Sequence, residues 1–136
     1  MNVLIDTAVW SLVLRRQSPN QQFANEVRQL VAENRAAIIG PIRQELLSGI
    51  SNDGHFKQLK TKLQAFEDIP LVTQHFELAA ELSNACRSKG IVGSHVDFLI
   101  CAVAKHEKLS VFTTDQDFGH YSKVIGLALF KFQAGA

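Results

Sequence analysis

The sequence predicts an α/β protein with a mainly parallel sheet. Short apolar runs of strand length alternate with longer stretches in which apolar residues recur every three or four positions, the pattern of βα units. The first run, Val3-Leu4-Ile5, is apolar without alternation, as expected of a strand covered on both faces. Strand-like runs end at acidic residues: Asp6 closes the first, and Asp115 follows Ser110-Val111-Phe112-Thr113-Thr114. With 136 residues, 46% hydrophobic and 20% charged, the chain is expected to form one folded domain over residues 1–136.

After the first strand, a helix is expected from Thr7 to Leu14, with Val9, Trp10, Val13 and Leu14 on one stripe. Pro19-Asn20 introduces a second helix, in which Phe23, Val27, Leu30 and Val31 keep helical spacing. Ala36 to Ile39 reads as the second strand, closed by Gly40-Pro41, and Pro41 suits the first position of the next helix. That helix carries Glu45 and ends near Ser48-Gly49. Past the turn-like Ser51-Asn52-Asp53-Gly54, a helix with Phe56, Leu59, Leu63 and Phe66 leads to Ile69-Pro70-Leu71-Val72, which the proline confines to a sheet edge. Helices follow at His75 to Arg87 and Val96 to His106, then strands at Val111-Phe112 and Leu127 to Phe132.

A formal charge of +1 gives no overall attraction for nucleic acid, so any contact with a polyanion must be local. Cys86 and Cys101 fall in helical patterns without metal-ligand spacing and read as buried, reduced thiols. No basic segment precedes a long apolar stretch at the start, and no apolar run spans a bilayer; the expectation is a cytoplasmic protein without a membrane partner.

Taken singly, each acidic residue has a local explanation. Asp6 suits an N-cap, Ser94 and Asp97 have capping-box spacing, Asp115 and Asp117 suit a turn, and Glu45 a solvated helix face. Their joint placement changes the reading, because ligands of open parallel sheets bind outside the carboxyl ends of the strands. Asp6 and Asp115 occupy that edge; Glu45 and Asp97, each in the first turns of a helix, lean toward it. Converging carboxylates raise one another's pKa unless a cation neutralises them. An oxygen-only donor set selects Mg2+ or Mn2+ rather than zinc, and such an ion suits phosphodiester hydrolysis. Thr7 and Thr113, hydroxyls beside these acids, are candidates to bond a ligand oxygen or simply to cap local backbone. The histidines, His55, His75, His95, His106 and His120, are scattered and read as surface or supporting groups.

Four segments together resemble a known family. Val3-Leu4-Ile5-Asp6-Thr7-Ala8-Val9-Trp10, Ile42-Arg43-Gln44-Glu45-Leu46-Leu47, Val96-Asp97-Phe98-Leu99-Ile100-Cys101-Ala102-Val103-Ala104 and Phe112-Thr113-Thr114-Asp115-Gln116-Asp117-Phe118 resemble those of PIN-domain ribonucleases. At this length the chain is most similar to the VapC toxins of toxin-antitoxin modules, from about residue 2 to residue 132. The resemblance implies a three-layer α/β/α fold with a five-stranded sheet in the order 3-2-1-4-5. It also implies an acidic quartet at Asp6, Glu45, Asp97 and Asp115, with Asp117 as an accessory ligand and Thr113 as the hydroxyl preceding the last acidic pair. The implied activity is a Mg2+- or Mn2+-dependent endoribonuclease, often a homodimer, silenced by a cognate antitoxin.

Arg15, Arg16, Arg43 and Lys89 are the nearest basic candidates for RNA phosphates. A competing reading is a catalytically silent PIN-like module that binds RNA or protein. An aspartyl-phosphate enzyme using Asp6 ranks lower, since such enzymes want a second Asp two positions on and Ala8 stands there.

Overall fold

Strand β1, Val3–Ile5, lies at the centre of a parallel sheet in the computed structural model, which describes residues 2–15 and 18–132. It pairs with β2, Ala36–Ala37, in the register Val3 to Ala36, and with β3, Ser110–Phe112, in the register Val3 to Ser110 and Ile5 to Phe112. Successive side chains of a strand point to opposite faces, yet Val3, Leu4 and Ile5 are all 0% exposed. Both faces of the sheet are therefore covered, as the unbroken apolar run requires.

The order β2-β1-β3 is the middle of the expected order, but the outer strands differ from expectation. In place of an edge strand over Ile69–Val72, a single parallel bridge joins Ile38 to Asp68, with the Ile69 N–H donating to the Ile38 carbonyl at 2.9 Å. Pro70 has no N–H to continue the ladder. At the other edge the expected Leu127–Phe132 strand is one bridge from Val111 to Leu129, held by Val111 N–H to Ala128 and Phe130 N–H to Val111. The sheet among the described residues thus has three strands, with bridges where strands 3 and 5 were expected.

The helices are α1 Thr7–Trp10, α2 Gln21–Ala32, α3 Gly40–Leu47, α4 Asp53–Leu63, α5 Thr73–Arg87, α6 His95–Glu107 and α7 Asp117–Ile125. Instead of running unbroken to Leu14, the first helix widens into a π-helical turn over Ser11–Arg15, and the Leu12 carbonyl accepts from Asn20 N–H. Asn20, Asn52 and Ser94 cap α2, α4 and α6 with side-chain oxygens; Asn20 and Ser94 were expected at these helix starts, whereas Asn52 was expected in a turn. Helix α3 has no such cap and relies on Pro41 in its first turn. Helix α7 was not expected. Phe118, Tyr121 and Ile125 carry its period, and Gly126, at φ 69°, ends it in the left-handed conformation.

Aromatic side chains bind the layers together. Phe23 of α2 packs on Phe112 of β3 at 5.9 Å between ring centroids, Phe130 and Phe132 pack on Phe112 as well, and Trp10 meets Phe66 edge-on at 5.1 Å. Cys86 and Cys101 are free and fully buried, and burial raises both thiols. Among the described residues, no helix is long and apolar enough to cross a membrane.

Candidate active site

The carboxyl edge of the sheet brings Asp6, Asp97, Asp115 and Asp117 together. Asp6 leaves β1 with its N–H on the Phe112 carbonyl at 2.9 Å, which fixes it beside the end of β3. Its Oδ1 accepts from Thr7 N–H at 2.7 Å, capping α1, while its Oδ2 accepts from the Thr113 hydroxyl at 2.8 Å. Thr113 in turn accepts from Asp115 N–H at 3.0 Å, and Asp115 Oδ1 accepts from Asp117 N–H at 2.9 Å. The cap and the turn are both real, and together they string three acids along one edge.

Asp97 arrives from another direction. Ser94 caps α6 through Asp97 N–H at 3.1 Å, which sets the carboxylate in the first turn of the helix. There its Oδ2 accepts from the hydroxyl of Tyr121 at 2.7 Å. One carboxylate oxygen from each of Asp97, Asp115 and Asp117 can lie within 4.8 Å of the others. Asp117, expected as an accessory, is thus within the tight group. Glu45 stands apart from it: exposed on α3, its Oε1 accepts from the Thr7 hydroxyl at 3.0 Å, so it reaches Asp6 through the residue that follows Asp6.

Burial sets the electrostatics. Asp6 is 7% exposed, and desolvation pushes its carboxyl up from 3.8 to about 6, opposed by the bonds from Thr113 and Thr7 and reinforced by Asp97 and Asp115. Half-buried Asp97 is also raised, again chiefly by burial, with Tyr121 and Ser94 opposing and Asp115 and Asp117 adding repulsion. An all-oxygen donor set whose members repel one another fits a hard divalent cation, so the residues present suit Mg2+ or Mn2+.

A model of the PIN domain matches residues 3–124. The chain belongs to the PIN domain family. No curated protein matches it in sequence. Among solved structures, the PIN domain is similar to a chain of FitAcB from Neisseria gonorrhoeae, at TM-score 0.78 and 22% identity, covering 95% of this chain and 96% of that one. It is similar to a chain of VapBC2 from Rickettsia felis bound to a promoter DNA fragment, at TM-score 0.76 and 20% identity over 98% and 100% of the two chains. A chain of a toxin-antitoxin complex from Klebsiella pneumoniae is similar at TM-score 0.67 and 17% identity, over 86% and 90%.

Other expectations meet the PIN domain's geometry unevenly. Arg43 is occupied: its guanidinium holds Asp68 at 3.0 Å and the carbonyls of Leu63 and Phe66 at 2.9 and 2.6 Å, so it clamps the end of α4 to the sheet edge instead of facing phosphate. Lys89 is exposed; Arg16 and the Arg15 side chain lie outside the described residues. His75 is not a surface group. It is 1% exposed and, with His106 and Glu107, forms a second cluster at the far end of α6 from Asp97. His75 Nδ1 accepts from Val72 N–H at 3.1 Å, while its Nε2 lies 3.7 Å from Glu107, beyond hydrogen-bond reach, and has no hydrogen-bond partner among the described residues. Sequence reasoning missed Tyr121, whose helical period with Phe118 and Ile125 was the available signal.

Proposed function

We propose that the chain is a VapC-type toxin: a Mg2+- or Mn2+-dependent endoribonuclease, formed by one PIN domain over residues 1–136, dimeric, cytoplasmic and restrained by a cognate antitoxin. The observation that carries this reading is the approach of Asp97, Asp115 and Asp117 oxygens to within 4.8 Å, beside the buried Asp6. Membership of the PIN family supports a nuclease, and likeness to chains of FitAcB, VapBC2 and a toxin-antitoxin complex supports an antitoxin partner.

Asp97, Asp115 and Asp117 would hold the cation, with Asp6 completing the set. A divalent ion bound there supplies Lewis acidity to the phosphoryl group and lowers the pKa of attacking water. Thr113 fixes Asp6 and Asp115 at once, because its single hydroxyl donates to one and accepts from the other. Glu45, held through Oε1 by the Thr7 hydroxyl, takes a proton from water as the water oxygen adds to phosphorus. One P–O ester bond breaks, the leaving oxygen takes a proton from solvent water, and the proton held on Glu45 returns to solvent.

The test is incubation of purified protein with structured RNAs and Mg2+, beside Asp6→Asn and a chelator control. Discrete products that vanish in both controls are expected. Cleavage surviving both would overturn the metal-carboxylate mechanism, and cleavage of no RNA by antitoxin-free protein would favour the silent binding module.

A further inference from the structure

Asp97 and Tyr121 come from separate helices, and their contact is tightly built. The Tyr121 side chain is 0% exposed, wedged between Phe98 at 4.9 Å and Phe118 at 5.3 Å between ring centroids. Its hydroxyl donates to Asp97 Oδ2 at 2.7 Å. Behind it stands Gly93: a Cβ placed there would lie 2.2 Å from the hydroxyl oxygen and 2.7 Å from the ring carbon that bears it. Gly93 has no need of a left-handed backbone, since it is absent from the positive-φ glycines Gly49, Gly90 and Gly126. Its want of a side chain is needed for room. Tyr121 also sits four residues after Asp117 on α7, so both side chains lie on one face of that helix.

We propose that Tyr121 is a positioning residue for the metal site, holding Asp97 by Oδ2 so that Oδ1 is presented to the cation, and that Gly93 is the space that admits it. The inference rests on the acidic cluster being a cation site. A carboxylate on a short side chain turns through a broad torsional well, and a fixed donor on one oxygen narrows that range. The same bond ties α6 to α7, so Asp97 and Asp117 keep their spacing before any cation arrives. Tyr121 touches neither substrate nor ion in this scheme; it acts through Asp97.

The experiment measures Mn2+ binding by titration calorimetry on the intact wild-type chain, Tyr121→Phe, Gly93→Ala and the double variant, with RNA cleavage followed across Mn2+ concentrations. Supporting partners of metal ligands are worth about 10- to 100-fold in affinity, so each single variant is expected to bind Mn2+ at least about tenfold more weakly. The double variant should be no weaker than the weaker single one, because both changes remove one bond. Cleavage by Tyr121→Phe should approach the wild-type rate at saturating Mn2+ with an unchanged KM for RNA, which general unfolding would not produce. Phe fills the same cavity, which guards the fold; Gly93→Ala strains it and is judged only if it melts cooperatively.

Wild-type affinity in Tyr121→Phe would overturn the proposal while leaving the cation site intact. Multiplying losses in the double variant would overturn it as well. Absence of Mn2+ binding by the wild type would instead overturn the reading of the acidic cluster.

Discussion

The floor and the rim of the acidic site are built differently. On the floor, Asp6 is buried and Asp97 half-buried; each has an oxygen held by a hydroxyl from a distant segment, and each carboxyl is raised by desolvation. At the rim, Asp115 and Asp117 are exposed, and their bonds among the described residues are local, from Asp115 N–H to the Thr113 hydroxyl and from Asp117 N–H to Asp115 Oδ1. The floor stores an unfavourable interaction that a cation would relieve, whereas the rim carboxylates are exposed to solvent before one binds. Function here is placed against stability at Asp6 in particular.

Asp6→Asn should break this contrast most strongly. RNA cleavage is expected to fall at least about 100-fold, measured under single-turnover conditions with Mg2+, because a charged floor ligand is gone. The same change should stabilise the metal-free fold at neutral pH. An unfolded Asp titrates near 3.8 and this one at about 6, so the stability tied to its protonated form is present below about pH 4 and lost as pH rises through 6. That shift corresponds to at most about 3 kcal/mol, less the weakened bond from Thr113. Urea melts at pH 4 and pH 7.5 should show the Asn variant gaining on the wild type at the higher pH; equal gaps would mean that Asp6 is not strained.

Mn2+ at about 100 times its dissociation constant should stabilise the wild type by about 2.7 kcal/mol at pH 7.5, read as a rise in Tm, and Asp6→Asn by much less. Thr113→Val removes the donor to Asp6 and the acceptor for Asp115 N–H together, and a cost of about 1–3 kcal/mol in stability is expected by urea melts, with weaker Mn2+ binding. Asp117→Asn should be mildest for the fold: as an exposed substitution it should change stability by no more than about 0.5 kcal/mol in urea melts, although Mn2+ binding weakens. A stability gain at Asp117 matching that at Asp6 would erase the distinction between floor and rim.

Much of this was legible beforehand. The βα alternation gave the parallel sheet, Asn20 and Ser94 marked helix starts, and the strand-end position of Asp6 and Asp115 marked the edge where the acids meet. At the edges, the apolar β-like residues of Ile69–Val72 and Leu127–Phe132 carry strand propensity, while the pairing seen there is a single parallel bridge on each side, because pairing depends on what lies alongside. Helix α7 was overlooked because Asp115 and Asp117 read as a turn, although Phe118, Tyr121 and Ile125 repeat at helical spacing.

By itself, then, the sequence determined the fold class, the central strand and which acids stand at strand and helix ends, since these follow from periodicity and capping along the chain. Only the tertiary structure decided that Arg43 is a clamp, that Asp6 is desolvated while Asp117 is not, and that Tyr121 reaches Asp97 across the space at Gly93. Burial and cross-helix contact depend on which distant segments pack together, and no local pattern of residues encodes that.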